Sequence, residues 1–276
     1  MQRKVIPMTP EQVRLPVRKR NSHKSHYGKL LILGGCVGYT GAVCLCARGA
    51  LRSGAGLVSV GVPKDIYPII AAKLDEAMPF PMERPLCFEE IASRLSESTV
   101  CVIGPGMGRS EDSLRFVRDV LRSSTVPTVV DADALFAAKE DLSLLRGKII
   151  TPHGGEFARL GGDVTGDRIE DAAGFAEAHG CTVVLKGPET VVAFPNGRVY
   201  VCPVGNPGMA TGGSGDVLAG IIGGLLGQLP MEQAVVYGVC IHGAAGDLCA
   251  AELGEYSMLP SDMLEALPRV MKKMTY

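Results

Sequence analysis

Asn206-Pro-Gly-Met-Ala-Thr-Gly-Gly-Ser-Gly-Asp216 runs directly into the apolar stretch Val217–Leu226. Four glycines precede an acid, and a helical pattern follows. A glycine-rich turn feeding a helix leaves several backbone N–H groups without partners, with the positive end of the helix dipole behind them. That is a seat for a phosphate. An acid beside the seat would repel the anion, so Asp216 needs a different job. The natural one is to take a proton from a hydroxyl engaged in phosphoryl transfer. A plain N-cap would need one Asp or Ser and none of the additional glycines.

Working outward, short apolar runs alternate with longer helical patterns. Strands are expected at Leu30–Leu33, Leu57–Val62, Val100–Ile103, Thr128–Val130, Lys148–Ile150 and Thr182–Leu185. Helices are expected at Ala42–Arg52, Glu89–Leu95, Asp112–Leu121, Ile169–Ala178, Val217–Leu226, Met231–Ala251 and Pro260–Lys272. This rhythm predicts a mostly parallel sheet covered on both faces, an α/β fold. Thr190–Phe194 and Arg198–Cys202 flank Pro195-Asn196-Gly197, and Asn-Gly between extended runs predicts an antiparallel hairpin at the sheet edge. Ligands of parallel α/β sheets bind at the carboxyl ends of the strands. The polar and glycine-rich signals fall there: Gly34-Gly35, Gly104–Gly108, Asp131–Asp133, Thr151–Glu156 and Lys186-Gly187.

Bulk composition narrows the classes. The chain has 276 residues, 46% of them hydrophobic, and a net charge of −1. Nothing in that balance suggests a nucleic-acid partner, and the run Arg14, Arg18, Lys19, Arg20 reads as solvated. No apolar run reads as long and unbroken enough to span a bilayer, and residues 1–15 lack the apolar core of a signal peptide. The nine cysteines are scattered without a Cys-x-x-Cys pair, as expected of small core residues in a reducing cytoplasm.

Several motifs compete for the chemistry. Gly104-x-Gly106-x-Gly108 follows a strand as a dinucleotide fingerprint does, but Arg109 stands where a third glycine is needed. There is no Gly-x4-Gly-Lys-Ser/Thr phosphate loop, and Gly213-Ser214-Gly215 lacks the flanking order of a nucleophile elbow. Asp131 and Asp133 share a strand exit, and Asp133 could simply cap a helix at Ala134–Ala138. Glu156 is a candidate for holding Mg²⁺ through water, His153 for touching a polar ligand and Lys186 for meeting a phosphate.

One combination covers about residues 20 to 272. It comprises His23-Lys24 with Tyr27-Gly28, Gly34-Gly35 with Tyr39-Thr-Gly41-Ala42, Leu51-Arg-Ser-Gly-Ala-Gly56, Gly104-Pro-Gly106, Asp131-Ala-Asp133, Thr151-Pro-His153 with Gly155-Glu156, Lys186-Gly187 with Thr190, and Asn206–Asp216. In this order the set resembles the ADP-dependent (S)-NAD(P)H-hydrate dehydratases of the ribokinase-like superfamily. The resemblance implies a three-layer α/β/α fold forming one domain over 1–276, without the N-terminal epimerase domain that some relatives carry. It also implies removal of water from damaged NADH or NADPH, driven by ADP or by ATP, with Mg²⁺. Asp216 would then activate the hydrate's hydroxyl, and Gly213, Ser214 and Gly215 would form the anion hole. Lys186, Gly187, Pro188, Glu189 and Thr190, with Gly215, would line the nucleotide site. Ala42, Gly106 and His153, with Asp216, would contact the NAD(P)H-hydrate, and Glu156 would stand near the metal. A homo-tetramer and a separate epimerase partner are further implications. Cys36 and Gly154 depart from the pattern, where Ser and Pro are common. A small-molecule kinase of the same superfamily, phosphorylating an alcohol, is the alternative.

Overall fold

The computed structural model describes residues 4–276. Among the described residues, all ten strands belong to one sheet. In chain order they are β1 (Val5–Pro7), β2 (Lys29–Leu33), β3 (Leu57–Pro63), β4 (Met78–Met82), β5 (Val100–Ile103), β6 (Thr128–Val130), β7 (Ile149–Ile150), β8 (Thr182–Leu185), β9 (Thr190–Ala193) and β10 (Val199–Cys202). Their spatial order is β1-β10-β9-β8-β7-β6-β5-β2-β3-β4. Every pairing is parallel except those of β9 with β8 and with β10. The Asn-Gly hairpin is therefore present, and β1 lies outside it. A second reversal, not anticipated as a hairpin turn, occurs at residues 186–189 between β8 and β9.

The central strands are largely apolar because both faces are covered. Leu30, Ile32, Val100 and Val102 face one core. It is covered by α1 (Thr40–Arg52), α2 (Tyr67–Lys73), α8 (Ser214–Leu226), α9 (Met231–Leu253) and α10 (Pro260–Lys273). Leu31, Leu33, Cys101 and Ile103 face the other. Its cover is α3 (Ala92–Glu97), α4 (Glu111–Ser123), α5 (Asp133–Ala137), α6 (Gly154–Arg159) and α7 (Arg168–His179). This is the expected three-layer α/β/α arrangement. All nine cysteines are free thiols.

Two packing features position the site. First, α8 lies against α1 at backbone distance. A Cβ at Gly220 would collide with the Cys46 carbonyl, and one at Gly224 with Ser53 Oγ. Glycine on this face lets the helices touch and fixes where the α8 N-terminus projects. Second, α9 is 23 residues long and apolar enough, by length and composition, to cross a bilayer, contrary to the sequence expectation. Two-thirds of its most apolar window is buried within the protein, because α9 is a core helix between α8 and α10. The short helix expected at Glu89–Leu95 is split into a 3-10 turn, Phe88–Glu90, and α3.

Candidate active site

The helix that follows the glycine-rich segment begins without a side-chain cap. Its N-cap is Gly213, at φ +106°, where a Cβ would lie 2.6 Å from Leu45 Cδ1. A side chain there would be strained as well as crowded. Ser214 N–H reaches Thr211 O at 3.2 Å, and the first N–H taken up by the helix is that of Val217, on Gly213 O at 3.1 Å. The N–H groups of Gly215 and Asp216 belong to the open turn. The segment leading in is pinned to α9. Asp247 accepts hydrogen bonds from Gly205 N–H and Asn206 Nδ2, both at 3.0 Å, and Asn206 Oδ1 accepts one from Gly208 N–H at 3.0 Å.

Facing this turn is a cluster of charges from the ends of β6, β7 and β8. Lys186 Nζ lies 3.2 Å from Asp131 Oδ1 and 3.7 Å from Glu156 Oε2. Asp131 is buried, and Thr151 Oγ1 donates to the same Oδ1 at 2.6 Å. A Cβ on Gly215 would stand 3.1 Å from Lys186 Nζ, so glycine there keeps the ammonium next to the helix N-terminus. Burial pulls the Lys186 ammonium down, but Asp131, Glu156 and Asp216 outweigh it and hold the ammonium above its usual value. Lys186 is thus a fixed cation. Burial, with Asp131, pushes the Asp216 carboxyl up to about 7, partly offset by Lys186. A carboxyl poised there changes protonation at working pH, as a proton acceptor should.

Residues 186–190 form the tight reversal between β8 and β9. Gly187 has φ +155° and Glu189 φ +54°. The turn is held from behind by Arg168 of α7, whose guanidinium donates to Pro188 O (2.7 Å), Lys186 O (3.1 Å) and Leu185 O (3.2 Å). Thr190 Oγ1 closes the turn from within by donating to Gly187 O at 3.2 Å.

On the other side of the rim, the backbones approach closely. A Cβ at Gly34 would collide with Pro105 O, and one at Gly104 with Asp131 O. At Gly106 it would lie 2.8 Å from Tyr39 O and 2.9 Å from Ala42 Cβ, so Gly106 and Ala42 form one wall. Asp133 does not cap α5; it is that helix's first residue. Its carboxylate instead accepts from Gly108 N–H at 3.0 Å and Arg109 Nε at 2.7 Å, because these lie across the gap from β6 to β5. The Gly104–Gly108 turn is thereby bound to the β6 exit. No helix opens from it, since α4 starts later, capped by Ser110, and this removes the dinucleotide-fingerprint reading. Between the two acids Ala132 adopts φ +49°, ψ −119°, a strained conformation for a residue with a Cβ.

His153 caps α6. Its Nδ1 accepts from Gly155 N–H at 3.0 Å, so Nε2 carries a proton, and it lies 3.6 Å from Glu156 Oε1 on a ring that is otherwise exposed. Glu156 Oε2 accepts from His153 N–H at 2.9 Å, completing a capping box. No group of three or more His, Cys, Asp or Glu side chains able to hold a metal ion exists among the described residues. A Mg²⁺ here fits only the mode in which phosphates and water supply most ligands, with Glu156 as a water-bridged carboxylate.

Asp131, Thr151, Arg168, Asp133 and Asp247 were not assigned these supporting roles from sequence. Their partners are 17 to 55 positions away along the chain. The only available signal was their position at strand exits or on otherwise buried helix faces.

Comparison with known proteins follows the same lines. Residues 30–269 match the model of the NAD(P)H-hydrate dehydratase family. The chain is 43% identical, over 94% of its length, to the bifunctional NAD(P)H-hydrate repair enzyme Nnr of Moorella thermoacetica, of which it covers 52%. It spans about half the length of several such bifunctional relatives. It is 36% identical to the ADP-dependent (S)-NAD(P)H-hydrate dehydratase of Lactococcus lactis, over 93% of this chain and 94% of that one. Among solved structures, the ADP/ATP-dependent NAD(P)H-hydrate dehydratase of Bacillus subtilis, co-crystallised with ATP/Mg²⁺, superposes with a TM-score of 0.83 at 32% identity, covering 98% of this chain and 99% of that one. A sheet of this order, an uncapped helix behind a glycine-rich turn and a carboxyl poised beside it stand in a chain that belongs to the NAD(P)H-hydrate dehydratase family.

Proposed function

We propose that this chain restores NADH or NADPH from the S form of its hydrate, using ADP or ATP as phosphoryl donor. The observation that carries the reading is Asp216, a carboxyl pushed up to about 7 at the uncapped N-terminus of α8, with the Lys186 ammonium beside the same turn. The donor's terminal phosphoryl sits in the turn Gly213–Gly215, on the open N–H groups of Gly215 and Asp216, and the rest of the nucleotide lies along Lys186–Thr190. The hydrate lies against Ala42, Gly106 and His153.

Asp216 takes the proton from the hydrate's hydroxyl as that oxygen bonds to phosphorus. The phosphorus–oxygen bond to the departing nucleotide breaks, and AMP leaves when ADP is the donor. Lys186 and the helix N-terminus oppose the charge that gathers on the transferring oxygens. In the second stage the carbon–oxygen bond breaks. Phosphate leaves with the electron pair, water takes a proton from the neighbouring ring carbon, and the double bond is restored. Hydroxide is a poor leaving group and phosphate a good one, so transfer makes elimination feasible. Glu156 would be the outer partner of a Mg²⁺ ion, which would supply neutralising charge on the phosphates.

A homo-tetramer, a cytoplasmic location and supply of the S epimer by an NAD(P)H-hydrate epimerase belong to the same reading and rest on family resemblance. The test is absorbance at the reduced-nicotinamide band in mixtures of S-NADPH-hydrate, Mg²⁺ and folded protein, with ADP and ATP in parallel. A rise with ADP is expected; a rise with ATP alone corrects the donor. No rise with either overturns the reading in favour of a kinase that phosphorylates another alcohol.

A further inference from the structure

His242 lies on the buried face of α9, directly beneath the first turn of α8. Its Nε2 is 2.9 Å from the Ser214 carbonyl oxygen and 3.3 Å from Ser214 Oγ. A ring buried among apolar side chains is costly unless it is hydrogen-bonded, and both contacts belong to the one residue that starts the helix. Burial lowers the imidazole to about 4, so it is neutral at working pH. A carbonyl only accepts, so Nε2 must carry the ring's proton. The Ser214 hydroxyl therefore cannot donate to that nitrogen, and its own proton stays available.

Five residues further along α9, Asp247 holds Gly205 and Asn206 at the other end of the glycine-rich segment. Gly243 and Gly246 lie between them. A Cβ at Gly243 would stand 2.5 Å from Val204 Cγ2, and one at Gly246 would collide with Met209 Sδ. One face of α9 thus holds both ends of the segment and accommodates its middle.

We propose that His242 is the positioning residue of the phosphoryl-binding turn: its Nε2–H holds the Ser214 carbonyl and so sets the direction in which Gly213–Gly215 and Asp216 face the transferring group. The proposal rests on the dehydratase reading for its rate readout but not for its geometry.

The test compares His242→Gln, whose amide nitrogen can reach the same carbonyl, with His242→Leu, which fills the space without a donor. Misplacing a reacting group slightly costs up to ~100-fold. His242→Leu should therefore lose ~10–100-fold in kcat while KM for the S-hydrate stays within about twofold. His242→Gln should recover most of the loss. Wild-type kcat in His242→Leu, or equal impairment in both variants, would overturn the proposal. If the leucine variant fails to fold, His242→Asn, whose amide is too short to reach, takes its place with the same expectations. If wild-type protein shows no dehydratase turnover, the functional reading fails while this one is still read by binding. ADP should then raise the melting temperature more than AMP does in the wild type and His242→Gln, but not in His242→Leu. An unchanged ADP-over-AMP difference in His242→Leu would sink it.

Discussion

Two helices of thirteen residues begin in opposite ways in this protein. Ser110 caps α4 by accepting from Ser113 N–H at 3.2 Å, Glu111 and Asp112 complement the first turn, and Arg122 the last. Gly213 leads into α8 with no side-chain cap, and the only acid in its first turn is Asp216, whose carboxyl resists ionisation. The first pattern closes a helix end for stability. The second leaves donors open and supports them from behind, through α1, α9 and Lys186. Lack of a side-chain cap is shared with α1 and α9; what sets α8 apart is the glycine-rich turn before it and the Lys186 ammonium and Asp216 carboxyl beside it.

The hardest way to break the contrast is at Asp216 itself. Asp216→Asn should keep ADP binding and lose ~10²–10⁴ in rate, the usual worth of a positioned base, measured at the nicotinamide band. It should also change stability with a defined sign. The folded carboxyl titrates at about 7 against an ordinary 3.8, so the native state retains a proton that the unfolded chain releases. That contribution is present below about pH 3.8 and lost as pH rises through 7. Asp216→Asn should therefore melt above wild type at pH 8 by more than it does at pH 5.

Next in size is Asp131→Asn. Lys186 keeps Glu156 but loses its nearer, buried partner, which should cost ~1–3 kcal/mol in denaturant unfolding. It also removes the neighbouring charge that raises Asp216, so the lower inflection of kcat/KM against pH, expected at about 7 in wild type, should move down. An unmoved inflection would detach Asp131 from the proton acceptor. Gly213→Ser puts the residue that caps α4 at the head of α8. There φ +106° and Leu45 oppose it, so ~1–3 kcal/mol should be lost, with activity falling too. The smallest effect is Ser110→Ala, which should cost ~1 kcal/mol in thermal unfolding and leave the rate unchanged. A rate loss there would mean that the two helix ends are not separated in function.

How much of this was readable beforehand follows from the range of each signal. Continuous apolar runs gave β2, β3 and β5 to β8, and Asn196-Gly197 gave the hairpin. β4 escaped because Met78-Pro-Phe-Pro-Met82 carries two prolines, which an edge strand tolerates where its missing donors face outward. β1 is three residues long and pairs only with β10. Residues 186–189 read from sequence as a ligand loop; the reversal between β8 and β9 is what shapes that loop. Within the site, the glycine-rich segment and Asp216 were legible because local chemistry alone implies an anion seat. Asp133 reads from sequence as a possible helix cap, since a cap is local and its bond to Gly108 crosses 25 positions. Arg168 and His242 sit inside helical patterns, where a lone polar residue gives no hint of which backbone it will hold.

The most direct test of the central claim counts products from one quenched reaction of S-NADPH-hydrate, ADP and Mg²⁺ with the wild-type protein. Phosphoryl transfer followed by elimination predicts AMP, inorganic phosphate and restored NADPH in equal amounts. AMP accompanied by a stable phosphorylated product, with neither free phosphate nor restored NADPH, would contradict it.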